Sequence, residues 1–199
     1  MVLPPRYRPI VTTKQSRILF LDIDGVVSSH RNLILGDEFD IVALRLLEKL
    51  QVECQFDIVI SSSRRKNIKS ITDFSNMLTV KYGVRLHFHT AWKTANKKDV
   101  ILDNLPKDYG RIFKQYVRKW GVHAPKHISE TLHWRGFEIY DWLLHHREEN
   151  PKFLIIDDSM DMFPIDIKYL VRVKRGEELG GLQMSHYDRI LEYFTGGEE

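Results

Sequence analysis

Three short apolar segments in this chain each end in an acidic or hydroxyl residue, and this repetition constrains the fold more than any other feature. The segments and the residues that follow them are 18–21 with Asp22, 56–60 with Ser61, and 152–156 with Asp157. Helical patterns separate the segments, and apolar strands that alternate with helices are typical of a parallel sheet covered on both faces. The sequence therefore predicts a doubly wound α/β fold. In such folds, ligands bind beyond the carboxyl ends of the strands.

The spacing of apolar residues predicts the remaining elements. It predicts further strands over residues 84–88 and 169–173. It predicts helices over residues 37–51, 66–78, 109–120, 137–146 and 187–194. The alternation of strands with helices continues to the end of the chain, which extends the α/β prediction to most of its length.

The composition is that of a globular domain without a membrane span. The chain has 199 residues, of which 43% are hydrophobic and 29% are charged. No apolar run approaches the length that a bilayer requires. We expect a basic N-terminal arm over residues 1–16 and one domain over 17–199, with room for a small insertion around 91–120. The single cysteine, Cys54, cannot form an internal disulfide, which favours a reducing compartment and predicts a cytoplasmic protein.

The first of the three segments carries the strongest signal, because Asp22-Ile23-Asp24-Gly25 follows it directly. Two aspartates at positions i and i+2 leave the end of a strand on the same side of the chain. Gly25 permits a tight turn with close approach of the backbone. Carboxylates in this arrangement can hold a hard divalent cation, and one of them can attack an electrophile. The alternative is that both aspartates only cap the following turn.

The second signal is the sequence Ser61-Ser62-Ser63-Arg64, which follows the second apolar segment. A hydroxyl at the end of a strand, followed by the start of a helix, favours an anion such as a phosphate. A serine that only caps the helix would give the same pattern. Ser62 and Arg64 are the further candidates for binding a phosphorylated substrate.

The third signal is Asp157-Asp158 at the end of the segment over 152–156. Neighbouring carboxylates repel each other, so a cation is their natural partner. An all-oxygen ligand set favours magnesium. The alternative is a helix cap beside an exposed acid.

The order of these three signals resembles the haloacid dehalogenase superfamily of phosphotransferases, over about residues 17–173. This resemblance implies an aspartyl-phosphate mechanism on a Rossmann-like sheet with a small or absent cap. It implies the following roles: Asp22 as nucleophile, Asp24 as general acid/base, Ser61 (or Ser62) as phosphoryl ligand, and Asp22, Asp24, Asp157 and Asp158 as the Mg²⁺ site.

The resemblance also implies a cation before the last of these segments, and we assign it to Arg135, with Lys126 and Lys152 as alternatives. The superfamily pattern has a lysine, so Arg135 is a departure from it. Lys152 would begin a strand and lie at the wrong end of the sheet. The residues around Arg135 also resemble phosphatase-type domains found beside RNA-repair enzymes. The end of the segment over 152–156 resembles 5′-nucleotidases.

The substrate expectation depends on a basic stretch over residues 81–135, which has twelve Lys or Arg against four Asp or Glu. Aromatic residues interleaved with cations can bind nucleic acid, but the spacing of Phe113 and Tyr116 favours the core face of a helix. The sequence predicts a magnesium-dependent phosphomonoester hydrolase that acts on nucleotide monophosphates. The alternatives are a phosphatase of nucleic-acid ends and a non-catalytic binding module. A zinc site at His87 and His89 is disfavoured, because no cysteine partners them.

Overall fold

The computed structural model describes residues 15–95, 109–120, 134–174 and 180–196, and these form a sheet flanked by helices. The strands are β1 Arg17–Leu21, β2 Asp57–Ile60, β3 Phe88–Lys93, β4 Lys152–Asp157 and β5 Leu170–Arg172. The helices are α1 His30–Ile34, α2 Ile41–Cys54, α3 Ile71–Tyr82, α4 Tyr109–Trp120, α5 Arg135–His145 and α6 Met184–Thr195. Short 3₁₀ turns span Ser63–Lys66, Arg147–Glu149 and Ile167–Tyr169.

The sheet has the strand order β3-β2-β1-β4-β5, and each pair of neighbours is parallel. Leu21, the last residue of β1, pairs with Ile60 on one side and with Ile156 on the other. The ends of β1, β2 and β4 therefore lie side by side at one edge of the sheet. This arrangement confirms the predicted α/β fold and brings together the residues that follow each strand.

Both faces of the sheet are covered, as the apolar character of the strands predicts. Alternate residues of β1 enter different cores: Leu19 and Leu21 pack with α2 and α6, whereas Ile18 and Phe20 pack with α5. All four are buried. Burial of one such side chain contributes about 1.5–3 kcal/mol to the stability of the fold. Because its side chains enter both cores, β1 packs against helices on both faces of the sheet.

The segment between β1 and β2 contains only α1, α2 and their connections, and all of it is described. Helix α2 begins after Asp40, whose carboxylate accepts hydrogen bonds from the backbone N–H groups of Val42 and Ala43. This cap explains why the helix starts later than residue 37. No lid fits between Asp24 and Ser61, which agrees with the expectation of a small or absent cap.

Helix α3 also starts later than predicted, at Ile71 instead of residue 66. The hydroxyl of Ser70 caps it by accepting a hydrogen bond from the N–H of Asp73. The helix ends at Gly83, which takes a left-handed φ of 64°. Residues Ser63–Lys66 form a 3₁₀ turn before Ser70, so the serines that follow β2 precede this short turn and not the helix α3.

The predicted strand over residues 84–88 is wrong, because β3 spans Phe88–Lys93. Side chains of α2 explain the shift. Glu48 accepts a hydrogen bond from the N–H of Arg85, and Gln51 accepts one from the N–H of His87. The segment is therefore tied to a helix, and the ladder with β2 begins where the N–H of Ile58 donates to the carbonyl of His87, with an irregular register beyond it.

Helix α4 matches its predicted bounds, and the interpretation of its aromatic residues as a core face is confirmed for Phe113 and Tyr116. Both are buried and lie against Trp134 and Phe163. The predicted arm over residues 1–16 falls largely outside the described residues. Of the insertion predicted around 91–120, the structure describes the end of β3 and all of α4, and residues 96–108 lie outside the described part. Across the described parts of the chain, no helix combines the length and apolar character that crossing a membrane would need.

Candidate active site

The candidate site lies where β1, β2 and β4 end. Asp22 follows β1, and its N–H donates to the carbonyl of Ile156 at 2.9 Å. Ser61 follows β2, and its N–H donates to the carbonyl of Leu21 at 2.9 Å. Asp157 is the last residue of β4. These bonds continue the sheet by one residue and hold the three buried residues side by side, as the sequence predicts.

A tight turn follows Asp22 and brings the first and third motifs together. The carbonyl of Ile23 accepts hydrogen bonds from the N–H groups of Val27 and Ser28 at 3.0 and 2.9 Å. Gly25 takes a φ of +80°, and a Cβ at this position would lie 2.1 Å from Oδ2 of Asp158. Gly25 is required both by its backbone conformation and by the close approach of Asp158.

Three carboxylates form a cluster at this edge of the sheet. Asp22, Asp157 and Asp158 are buried, and each places one oxygen within 4.8 Å of the others. Burial raises the pKa of Asp22, while Arg135 and a hydrogen bond from Ser62 oppose this effect. Burial and the charge of Asp22 raise the pKa of Asp157 to about 8. The cluster is therefore costly to ionise without a cation.

The cluster fits a hard divalent cation. Oδ1 of Asp157 accepts a hydrogen bond from the N–H of Ser159 at 2.8 Å. Oδ2 of Asp157 is buried and meets no hydrogen-bond partner among the described residues, although Nε of Arg135 lies 3.3 Å away as an ion-pair partner. A buried set of three carboxylates suits Mg²⁺, which prefers oxygen ligands.

Asp24 lies at the more open side of the site, and its side chain is not brought into the carboxylate cluster. Its Oδ1 forms an ion pair with Nε of Arg64 at 2.7 Å. Arg64 also lies 3.7 Å from Glu38 and donates to the hydroxyl of Ser28. The role of Asp24 as a fourth metal ligand stays a prediction, since in this structure its carboxylate pairs with Arg64 and does not join the three buried acids. Its side chain remains partly exposed, as a general acid that meets substrate must be.

Arg135 supplies a cation beside the carboxylates. It lies at the start of α5, with Nη2 3.6 Å from Asp22 and Nε 3.3 Å from Asp157. Lys152 begins β4 at the opposite end of the sheet, with its ammonium over the ring of Tyr193. Lys126 lies outside the described residues. The geometry therefore favours Arg135 over Lys152 as the phosphate-facing cation.

The two serines after β2 occupy different environments. Ser62 donates a hydrogen bond to Asp22, which lowers the pKa of that carboxyl against the larger effect of burial. Its oxygen also accepts from the N–H of Arg64 at the start of the 3₁₀ turn. The hydroxyl of Ser61 is buried and has no hydrogen-bond partner within the described part of the chain. The hydroxyl of Ser61 therefore has an unused donor at the end of β2, and its role as phosphoryl ligand stays a prediction.

Sequence reasoning missed a buried ion pair behind the site, formed by Arg65 and Glu138. Nη2 of Arg65 lies 2.7 Å from Oε1 of Glu138, and both side chains are almost fully buried. The other oxygen of Glu138 lies 3.3 Å from Nη1 of Arg135. Arg65 also donates to the carbonyls of Ser61 and Ser62. The available signal was Glu138 itself, an acid within the apolar face of a predicted helix.

Asp161 was also missed, and it fixes the start of α5. Its carboxylate accepts a hydrogen bond from the N–H of Arg135, and its carbonyl accepts one from the N–H of Gly136. These contacts replace a side-chain cap, which Trp134 does not provide. Asp161 thereby helps to set the position of Arg135.

The two histidines considered for zinc lie apart from the carboxylate cluster. His87 precedes β3 and is exposed, whereas Nε2 of His89 lies 3.2 Å from Glu149. The aspartate cluster is the metal-capable group that the described residues form. The metal-capable group of the described residues therefore offers oxygen ligands.

A parallel sheet whose central strand ends in an Asp-x-Asp-Gly turn, with a hydroxyl and paired acids on the neighbouring strands, defines the haloacid dehalogenase superfamily. A family model described as the HAD domain in Swiss Army Knife RNA repair proteins matches residues 18–180. The chain belongs to this family. No curated protein and no solved structure gives a significant match.

Proposed function

We propose that this chain is a magnesium-dependent phosphatase that removes a terminal phosphate monoester from a nucleic-acid strand through an aspartyl-phosphate. The observation that carries the phosphatase chemistry is the buried carboxylate of Asp22, which belongs to the metal-capable acid cluster and lies 3.6 Å from Arg135. The nucleic-acid substrate is proposed from the family, whose description places it in RNA repair proteins.

Asp22 is the proposed nucleophile. One of its carboxylate oxygens attacks phosphorus, and the bond between phosphorus and the leaving alcohol breaks in line with the attack. Asp24 donates a proton to the leaving oxygen. Asp24 then accepts a proton from water, whose oxygen attacks phosphorus and releases inorganic phosphate from Asp22.

The phosphoryl oxygens gain negative charge during both steps, and two groups of the site can stabilise this charge. Arg135 supplies a guanidinium on the α5 side. Ser61 supplies a buried hydroxyl on the β2 side. Hydrogen-bond donors fixed in advance stabilise such charge more effectively than water does. Ser62 and Arg64 hold Asp22 and Asp24 in place.

Asp22, Asp157 and Asp158 would hold Mg²⁺. Bound there, the ion would supply positive charge against the phosphoryl oxygens. It would also relieve the repulsion that burial imposes on the three carboxylates.

A free nucleoside monophosphate is the second candidate substrate. Phe113 and Tyr116 of the basic stretch pack against Trp134 and Phe163, so they are not available to stack on the bases of a longer strand. A mononucleotide would need only one base contact.

The test is phosphate release from end-phosphorylated oligoribonucleotides and from nucleoside monophosphates, with Mg²⁺ and with EDTA. Asp22→Asn should lower turnover by several orders of magnitude, because it removes the attacking charge. Asp188→Asn, an exposed position on α6, is the matched control and should leave turnover unchanged.

Ionic strength separates the two substrates, because binding through several phosphates weakens steeply with salt and binding of a mononucleotide does not. Full activity in Asp22→Asn or in EDTA would refute the proposed mechanism.

A further inference from the structure

A cavity of about 470 Å³ opens beside the candidate active site, between the turn after β1 and the start of α3. Its volume falls in the range of small-molecule sites, roughly 300–1,000 Å³. We propose that this cavity binds the nucleoside that carries the scissile phosphate. This inference rests on the proposed phosphatase function and specifies its substrate.

The position of the cavity assigns it to the leaving group. Ile23, which lies between the nucleophile and the general acid in sequence, forms part of its wall. Arg64 forms another part, and its Nε lies 2.7 Å from Oδ1 of Asp24. A general acid must reach the oxygen that leaves, so the leaving group lies on the Asp24 side of phosphorus. The cavity begins on that side.

The interior of the cavity suits a flat, apolar ring. Phe39 and Phe74 contribute aromatic side chains whose ring centroids lie 5.9 Å apart in an edge-to-face arrangement. Met77 adds a flexible thioether that can adapt to aromatic rings. A nucleobase offers the flat face that such a surface accommodates, whereas a sugar phosphate does not.

The charges around the cavity favour a neutral occupant. Arg64 and Lys69 are balanced by Glu38 and Asp73. Because these charges cancel, the lining offers no excess positive charge for a second phosphate, whereas a base with amide and amino groups can hydrogen-bond with polar side chains. Asn67, an exposed amide at the rim, can donate to and accept from the edge of a base.

A binding experiment tests the cavity without relying on turnover. Adenosine, uridine and their monophosphates are titrated into the wild-type chain, with methyl phosphate as the probe that lacks a base. Met77→Trp fills the cavity, and we expect it to weaken nucleoside binding at least tenfold. Val80→Trp, on the exposed face of the same helix, is the matched control and should leave nucleoside binding unchanged.

Asn67→Ala tests the cavity even if Met77→Trp fails to fold, and we expect about fivefold weaker binding of the nucleosides. Nucleosides that do not bind, or that bind equally well to wild type and to both cavity variants, would overturn the inference.

Failure of the proposed function gives a different result. Nucleosides would then bind with the predicted variant effects, while the wild-type chain hydrolyses no phosphomonoester in Mg²⁺.

Discussion

Replacing Glu138 with Gln tests whether the buried charges behind the active site stabilise the fold. Glu138 lies between two guanidinium groups, with Oε1 2.7 Å from Arg65 and Oε2 3.3 Å from Arg135. Glutamine keeps the size of the side chain and one carbonyl oxygen, but it removes the negative charge. The variant therefore changes the electrostatics of the site with little change in packing.

The expected loss follows from the burial of the pair. Removing one partner of a buried ion pair costs about 3–5 kcal/mol, because the other charge is left without compensation. Arg65 keeps hydrogen bonds to the carbonyls of Ser61, Ser62, Thr94 and Ala95, which lowers the loss. We expect about 3 kcal/mol. A domain with about 5–15 kcal/mol of stability remains folded after such a change.

Urea denaturation measures this loss as a lower midpoint with an unchanged slope. Glu148→Gln is the matched control, because Glu148 pairs with Arg147 at 3.7 Å on the exposed surface. Exposed pairs contribute about 0–1 kcal/mol, so the control should change little.

A double-mutant cycle with Arg65→Met should show strong coupling between Arg65 and Glu138. A loss below about 1 kcal/mol in Glu138→Gln, equal to that of the exposed control, would refute the reasoning.

Three further predictions concern the geometry of the site. Gly136→Ala places a Cβ 1.7 Å from the carbonyl oxygen of Met162, so α5 must shift. We expect urea denaturation to show a loss of about 1–3 kcal/mol in the free energy of unfolding, and we expect lower phosphatase activity. Gly25→Ala meets Oδ2 of Asp158 and strains a φ of +80°, so calorimetric titration should show weaker Mg²⁺ binding than in wild type. In the metal-free chain, stability should fall as the pH rises from about 4 to about 8, because folding raises the pKa of Asp157 to about 8 and favours its protonated form. Thermal unfolding across this range should show the slope, and Asp157→Asn should flatten it; an equal slope in the variant would contradict the assignment.

The sheet and the placement of the acids could be predicted because both follow from local sequence. An apolar strand that is buried on both faces gives a continuous apolar run, and the residue after it must lie at the edge of the sheet. Asp22, Ser61 and Asp157 were found in this way. Parallel pairing then brings the three strand ends together, as the register of Leu21 with Ile60 and Ile156 shows.

The start of β3 could not be predicted, because it depends on contacts between distant parts of the chain. Val84 and Leu86 are buried in alternation, which is the pattern of a strand. The N–H groups of Arg85 and His87, however, donate to side chains of α2 that precede them by more than 30 residues. An alternating pattern of apolar residues predicts which side chains are buried. It does not predict which groups accept the hydrogen bonds of the backbone N–H groups.

The ion-pair partners of the charged residues could not be predicted either, although the sequence identified some of these residues as candidates. Arg64 and Arg65 are neighbours in sequence and look equivalent there. In the structure, Arg64 pairs with Asp24 at the open side of the site, whereas Arg65 is buried against Glu138, 73 residues further along the chain. The difference arises because successive residues of a 3₁₀ turn, here Ser63–Lys66, lie about 120° apart around its axis and therefore face different surroundings. Composition and spacing therefore locate the acids and cations of this site, and tertiary contacts decide which cation lies at its open side and which one is buried behind it.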